Sequence, residues 1–127
     1  MTAVISLADS YKTVGKKLTN TSETTCYTVG QTGDESIGAY ILGISVTDST
    51  GSVNTAATIK ATLEDGVEYT LVAGATVSTT VPLSLIGNPI IVLNVGGTIK
   101  VTGGNGHHVL ISFASITRQS SAGSISR

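Results

Sequence analysis

The residues most able to do chemistry in this sequence are two adjacent histidines and a single cysteine. His107 and His108 follow a glycine-rich stretch, and neighbouring residues of a strand point to opposite faces of a sheet. The two imidazoles are therefore poorly placed to ligate one metal ion, and a solvated or interface turn is the preferred interpretation. Cys26 would need a nearby base to act as a nucleophile, and the sequence places neither histidine beside it. We predict a buried, inert thiol.

The carboxylates and glycine clusters offer little more. Asp34-Glu35 and Glu64-Asp65 are adjacent pairs in turn-like segments, whereas a calcium loop presents oxygen ligands at alternating positions. We interpret both pairs as solvated turn charges. Gly96-Gly97 and Gly103–Gly106 do not lead from a strand into a helix, as a phosphate loop does, and we interpret them as hairpin turns. The sequence predicts no enzyme, no cofactor and no metal site.

The composition indicates the elements that carry these residues. The 127 residues fit one domain, and they include 20 threonines, 15 serines and 15 glycines. Threonine favours strands and glycine favours tight turns, while helix-forming residues are sparse. The composition therefore predicts many short strands joined by many turns.

Charge and hydropathy exclude several classes of function. The formal net charge is −1 and only 12% of residues are charged, so the basic surface of a nucleic-acid-binding protein is not expected. Residues 1–8 lack the pattern of a signal peptide. The longest apolar run, Pro89–Leu93, is far shorter than the roughly 20 residues of a membrane-spanning helix. We expect a product made in the cytoplasm that contacts no membrane.

Alternating apolar and polar residues predict the strands. Ile59, Ala61 and Leu63 alternate with polar residues, as in a half-buried antiparallel strand. This strand and Ala39–Thr47 are predicted to form a hairpin or meander pair. The other predicted strands are Thr24–Val29, Val67–Val72, Ala75–Leu85 with a bend at Pro82, Ile90–Val95, Thr98–Thr102 and His107–Thr117. The spacing of about ten residues predicts an all-β fold, an antiparallel β-sandwich or jelly roll of about eight strands.

Particular strands and turns carry further expectations. Asp65-Gly66 and Gly87-Asn88 are predicted turns, and the dense apolar run Ile90–Val95 is typical of a central strand covered on both faces.

The predicted domain has an arm at one end and a tail at the other. Residues 1–20 carry a weak helical pattern, but Lys16 and Lys17 also suit an edge strand, and we favour an extended arm followed by a strand. We predict an N-terminal arm at residues 1–15, a β-sandwich at 16–117 and a flexible tail at 118–127, which is rich in serine.

The strand motifs resemble a family of short virion structural proteins of tailed bacteriophages, of the capsid decoration or head–tail type. Members typically have a short basic strand, a threonine-rich stretch ending in Tyr-Thr-Val, an I-x-V-x-x-S strand, an alternating strand and a closing apolar segment. The matching segments are Lys16–Leu18, Thr24–Val29, Ile44–Ser49, Ala57–Ala61, Gly97–Val101 and Val109–Ile116. One departure is Gly30, where relatives often have proline. The resemblance implies a β-sandwich component of the virion.

Three functions remain open at this stage. The first is a capsid decoration or cement protein that binds the major capsid protein, as a trimer or in other symmetric copies. Its expected contact residues are Val4, Leu7 and Tyr11 of the arm, with Lys16 and Lys17 facing an acidic partner surface. The alternative is that these residues cap the sandwich's own core. The second is a neck, head–tail adaptor or tail-associated protein. The third is a carbohydrate-binding or adhesin-like module, which the scarcity of aromatic residues disfavours.

Overall fold

Strands account for all the regular structure that the chain forms in its described part. The computed structural model describes residues 11–31, 36–50 and 56–117, which contain no helix. The eight strands are β1 (Tyr11–Lys17), β2 (Thr24–Thr28), β3 (Ser36–Asp48), β4 (Ala56–Thr62), β5 (Glu68–Thr76), β6 (Leu83–Asn94), β7 (Thr98–Thr102) and β8 (His107–Thr117).

The strands form two four-stranded antiparallel sheets. Sheet A has the order β1-β8-β3-β6 and sheet B the order β2-β7-β4-β5. The first strand therefore pairs with the last, the second with the seventh, the third with the sixth and the fourth with the fifth. This nested pairing is the strand order of a jelly roll, and it confirms the predicted all-β sandwich.

Apolar and polar residues alternate along the strands, and the inward apolar side chains fill the space between the two sheets. On β8 the inward residues Val109, Ile111 and Phe113 are buried, while Leu110 and Ser112 between them are exposed. The Tyr27 ring of sheet B lies 4.5 Å from the Phe113 ring of sheet A, so an aromatic pair joins the two layers. The largest fully buried apolar side chains of the core are Leu18, Val29, Ile41, Ile44, Val46, Ile59, Val77, Leu93, Ile99, Val101 and Ile111.

The predicted hairpins are mostly wrong. Asp65-Gly66 joins β4 to β5, the one consecutive pair of described strands that lies in a single sheet. β3 and β4 belong to different sheets, so they are not a hairpin or meander pair. The turns at Gly96-Gly97 and Gly103–Gly106 likewise carry the chain from one sheet to the other. Glycine and asparagine mark where the chain turns, but they do not encode which strand lies beside the next one.

The segment around β5 and β6 also differs from the prediction. β5 continues through Gly74 to Thr76, and residues 77–82 form a connection between the sheets. The predicted turn at Gly87-Asn88 lies inside β6. The pairing of β6 with β3 is interrupted there, between the pairs Ile86–Gly43 and Ile91–Ile41. The apolar run Ile90–Val95 belongs largely to this edge strand, so it is not a central strand. Its side chains explain the error: both faces of the run are apolar, although one of them is exposed.

The start of the sandwich lies earlier than predicted. β1 begins at Tyr11 and pairs with β8 from Ala114 to His108, so residues 11–15 belong to the sheet and not to an arm. Residues 1–10 and 118–127 lie outside the described residues. At Gly30 the backbone φ is +78°, which proline cannot adopt because its ring fixes φ near −65°. The departure from the family pattern therefore suits the turn that follows β2.

Candidate functional site

His107 is a buried structural residue, and its interpretation as a solvated or interface turn is wrong. It begins β8 with its side chain inward and 0% exposed. Its Nδ1 accepts a hydrogen bond from the backbone N–H of Gly104 at 3.0 Å. The ring proton of the neutral imidazole is therefore assigned to Nε2, which is buried without a hydrogen-bond partner in the structure. The backbone N–H of Leu18 donates to the His107 carbonyl at 2.8 Å, so this residue holds the β7–β8 turn against the chain that follows β1.

His108 lies on the opposite face of β8, as the alternation of a strand predicts. It is half-buried and pairs in register with Lys17 on β1 and Thr47 on β3. The two histidines therefore lie on opposite faces of sheet A and do not form one site.

Cys26 is half-buried on the edge strand β2, beside a bulge between Thr25 and Tyr27. Burial raises the pKa of the Cys26 thiol from 9.0 to about 11, although the nearby Lys16 ammonium acts in the opposite direction. The Sγ atom donates a weak hydrogen bond to the Thr24 carbonyl at 3.6 Å. A cavity of about 340 Å³ beside Cys26 is lined by residues of β1 and β2 and by Gln31, with no histidine. The thiol is therefore protonated at neutral pH, and no histidine or carboxylate lies among the described residues that line this cavity.

The carboxylates of the β4–β5 turn stabilise local structure. The Asp65 side chain accepts a hydrogen bond from the Val67 backbone N–H at 2.9 Å. Glu64 accepts one from the Asn94 side-chain amide at 3.0 Å, and this bond lowers the pKa of the Glu64 carboxyl. The pair Asp34-Glu35 lies outside the described residues. Within residues 11–31, 36–50 and 56–117, no three His, Cys, Asp or Glu side chains gather where they could hold a metal ion. The same residues include no helix long and apolar enough to cross a membrane.

The outer face of sheet B is polar and internally paired. Threonines and two lysines occupy its outward positions on β4 and β7. The Lys60 Nζ atom lies 3.9 Å from Oε2 of Glu23 and 3.8 Å from Oε1 of Glu68. The Lys100 Nζ atom lies 3.3 Å from Oε2 of Glu68. The ion pairs on this face are partly exposed, and removing them from water costs free energy, so this face has little tendency to be covered.

The outer face of sheet A carries several exposed large apolar side chains and is nearly uncharged. We call it the sheet A face; Ile86 is 81% exposed on it, Tyr11 70%, Leu110 48% and Val92 45%. Strand register and alternation place the following residues on this face: Tyr11, Thr13, Gly15, Lys17, Tyr40, Gly43, Ser45, Thr47, Ser84, Ile86, Val92, His108, Leu110, Ser112 and Ala114. Lys17, at one corner, is the single Lys, Arg, Asp or Glu among them. Large apolar side chains on one face of a monomer are typical of a docking surface.

The sheet A face is not flat. A cavity of about 370 Å³ opens on it, lined by residues of all four strands. Gly43 and Ser112 lie at its centre as register partners, and Ile86 and Leu110 stand on either side. A projecting isoleucine and a depression made by small residues therefore share one surface.

A lysine-rich edge borders the sheet A face. β1 is an edge strand, and its side chains Lys12, Lys16 and Lys17 are exposed. None of the three lies in an ion pair with another described residue. Lys60 and Lys100 on sheet B, by contrast, both have carboxylate partners. The unpaired positive charge of the described sandwich is thus concentrated on β1.

The contact residues predicted from the sequence lie partly on this surface. Tyr11 is on the sheet A face, and Lys16 and Lys17 are on its β1 edge, whereas Val4 and Leu7 lie outside the described residues. Sequence reasoning missed Ile86, Leu110 and Val92. A signal was present: each interrupts the alternation with a second apolar residue, as in Val109-Leu110-Ile111, which indicates that both faces of a strand are to be covered.

Comparison of the chain with protein-family models, with curated proteins and with solved structures found no match.

Proposed function

We propose that this chain is a non-enzymatic structural protein of a tailed-bacteriophage particle, a decoration protein that binds the outer surface of the major capsid shell. The observation that carries the proposal is the β1 edge, which holds three exposed lysines without ion-pair partners among the described residues, Lys17 on the side of the sheet A face and Lys12 and Lys16 on the other side of the strand. The resemblance of the strand motifs to small virion proteins supports the same function.

The positive charge of the β1 edge indicates the kind of surface that a partner would present. Lys12, Lys16 and Lys17 form a positive edge that suits a partner rich in carboxylates, and the rim of such an interface sets orientation and association rate. Tyr11 at the start of the same strand adds an exposed aromatic ring, a residue type enriched in interfaces. The proposed contacts of Val4 and Leu7 belong to the segment that precedes this strand.

Repetition on a shell strengthens such contacts. A capsid presents many identical sites, and linked copies of a weakly binding protein gain avidity without any new contact. A small jelly roll without a reactive cluster among its described residues is sufficient for this task, because the shell supplies the geometry.

Particle composition tests the proposal. Virions of the phage that encodes the chain would be purified, and the chain quantified by mass spectrometry against the major capsid protein. We expect a copy number comparable to that of the capsid subunits. A dozen copies or fewer would instead support a neck, head–tail adaptor or tail-associated position, and absence from the particle would contradict a virion role.

A charge-reversal variant tests the residues. The triple substitution Lys12→Glu, Lys16→Glu and Lys17→Glu is expected to abolish incorporation into particles. The matched control is the double substitution Lys60→Glu and Lys100→Glu, which reverses charge on the outer face of sheet B and is expected to leave incorporation intact.

One observation favours a second candidate, a carbohydrate-binding module. Tyr11 and Tyr40 flank the small residue Ala114 on the sheet A face, and sugar rings stack on aromatic side chains. A glycan array probed with the wild-type chain and with Tyr11→Ala tests this candidate, which predicts binding that the substitution removes.

A further inference from the structure

We propose that a second copy of this chain docks on the sheet A face, so that two sandwiches pack face to face about a twofold axis. The inference goes beyond the proposed function, since it concerns the purified chain alone and holds for any particle or none.

The edges of sheet A are poor sites for association. β1 carries three lysines, and lysines on an edge strand oppose the addition of a further strand. On the other edge, the pairing of β6 with β3 is interrupted between Ile86 and Ile91, which breaks the regular row of backbone groups that a new strand would need. Two copies are therefore expected to meet through side chains of a face and not through backbone pairing.

The outer face of sheet B is also disfavoured. Its charges already have partners in the same chain, because Glu68 approaches both Lys60 and Lys100. Covering this face would remove partly exposed ion pairs from water at a cost in free energy. The residues placed on the sheet A face include serine and threonine hydroxyls but no ion pair, and their single lysine, Lys17, lies at a corner.

The strand register makes the sheet A face complementary to itself. An axis parallel to the strands and passing between β8 and β3 brings β1 of one copy opposite β6 of the other. Residues of one register row then face each other across the interface. Large side chains meet small ones in three rows: Leu110 opposite Ser45, Tyr40 opposite Ala114, and Ile86 opposite Thr13.

The twofold axis satisfies each of these contacts twice, as it does in any interface where one patch packs on its own copy. Tyr11 falls opposite Val92, so the two exposed apolar side chains at the margins also cover each other. Lys17 falls opposite the end of β6, so the two lysines are kept apart.

The area is close to what a stable pair requires. Four strands spaced about 4.8 Å apart, with about 3.4 Å per residue along their length, give the sheet A face a projected area of roughly 700 Å². Standard protein interfaces bury about 800 Å² on each partner. Two copies that pack through the same face about a twofold axis form a closed dimer, whereas the decoration-protein hypothesis favours a trimer.

The oligomeric state of the full chain tests the proposal. Size-exclusion chromatography with light scattering is expected to give twice the monomer mass. Ile86→Asp and Leu110→Asp each place a carboxylate in the apolar interface and are expected to raise the dimer Kd at least tenfold. The matched control is Val81→Asp, because Val81 is 61% exposed in the connection between β5 and β6; its dimer Kd is expected to be unchanged. Circular dichroism is expected to stay as in the wild type for all three variants, since each side chain is exposed. Thermal melting is compared at a concentration at which the wild type is monomeric, because dimer formation itself raises the melting temperature.

Cross-linking provides a second measurement that does not weaken the interface. In a Cys26→Ala background, Ser112→Cys places a thiol next to the proposed axis, and a short bismaleimide is expected to link two copies. Thr25→Cys, at an exposed position on the outer face of sheet B, is expected to stay unlinked. Three results would each overturn the proposal: a monomer at about 100 μM, well above the micromolar limit expected for an interface of this size, a trimer, or a dimer that Ile86→Asp leaves intact. None of them would bear on incorporation into particles.

Discussion

Gly43 on β3 and Ile86 on β6 are register partners on the outer face of sheet A. The most exposed large apolar side chain in the described sandwich thus stands beside a position that has no side chain. A methyl group at Gly43 would meet nothing closer than the Leu85 carbonyl oxygen at 3.9 Å. Packing within the chain therefore does not require a glycine at position 43, where the depression beside Ile86 lies.

The contrast between Gly43 and Gly103 gives the first prediction. At Gly103 a Cβ atom would lie 2.7 Å from Nδ1 of His107 and 3.0 Å from Cδ1 of Leu18. Gly103→Ala is expected to lower the free energy of unfolding by about 1–3 kcal/mol through overpacking. Gly43→Ala is expected to leave it unchanged or raise it by up to about 1 kcal/mol, because the unfolded chain loses freedom. Urea denaturation measures both, and equal effects of the two substitutions would contradict the packing described here.

The buried histidine gives the second prediction. His107→Leu keeps a similar volume but leaves the Gly104 N–H without its acceptor, so we expect a loss of about 1–3 kcal/mol in the free energy of unfolding. His108→Leu is the matched control on the outward face of the same strand, and we expect a change within about 0.5 kcal/mol. Should both variants unfold at the same urea concentration as the wild type, the hydrogen bond to His107 would have no stabilising role.

The third prediction concerns the pH dependence of the Cys26 thiol. The folded-state pKa of about 11 lies above the ordinary value of 9.0, so the stabilisation from the buried, protonated thiol is fully present below pH 9. It is lost as the pH rises from there through about 11, because the unfolded chain ionises first. Iodoacetamide should alkylate the native protein slowly at pH 8, at a rate that still rises beyond pH 10. In concentrated guanidinium chloride the rate should level off at a lower pH, and a native profile that levels off near pH 9 would contradict the effect of burial.

The aromatic contact between the sheets gives the fourth prediction. Tyr27→Leu and Phe113→Leu each remove one ring of the pair whose centroids lie 4.5 Å apart. A double-mutant cycle is expected to give a coupling free energy of about 0.5–1.5 kcal/mol. The control cycle combines Phe113→Leu with Tyr69→Leu on the edge strand β5, where additivity within about 0.5 kcal/mol is expected. If the coupling free energy between Tyr27 and Phe113 were zero, the ring contact would add nothing to stability beyond the burial of each side chain.

The period-two alternation predicted strand positions well and strand neighbours poorly. Thr98–Thr102 and His107–Thr117 are strands with the bounds predicted, because alternation there follows burial on one face. The neighbour of each strand depends on contacts between residues far apart in the chain, which a local pattern does not encode. The predicted pairing of β3 with β4 is wrong for this reason.

The candidate surface was predictable only in part. Lys16 and Lys17 are predicted for an edge strand from their type, and the structure places them on β1. Tyr11 is predicted in an arm, but it begins the same strand. Ile86 and Leu110 were assigned no role, since a single sequence does not distinguish an apolar residue that is buried within the chain from one that awaits a partner. For His107, the glycine-rich turn beside it suggested solvent exposure, whereas the missing Cβ of Gly103 is what allows the imidazole to pack inside.

The pairing of the first strand with the last has a consequence for how the chain reaches its native state. Tyr11 is paired with Ala114, so the central position of β8 in sheet A is filled only when the residues up to β8 have left the ribosome. Closing so long a loop is entropically costly, and folds dominated by such distant contacts form in milliseconds to seconds and not in microseconds. Until β8 arrives, β1 and β3 have no common neighbour, and a nascent chain that stops before His107 cannot complete sheet A. Synthesis and folding of this jelly roll are thereby coupled through its final strand.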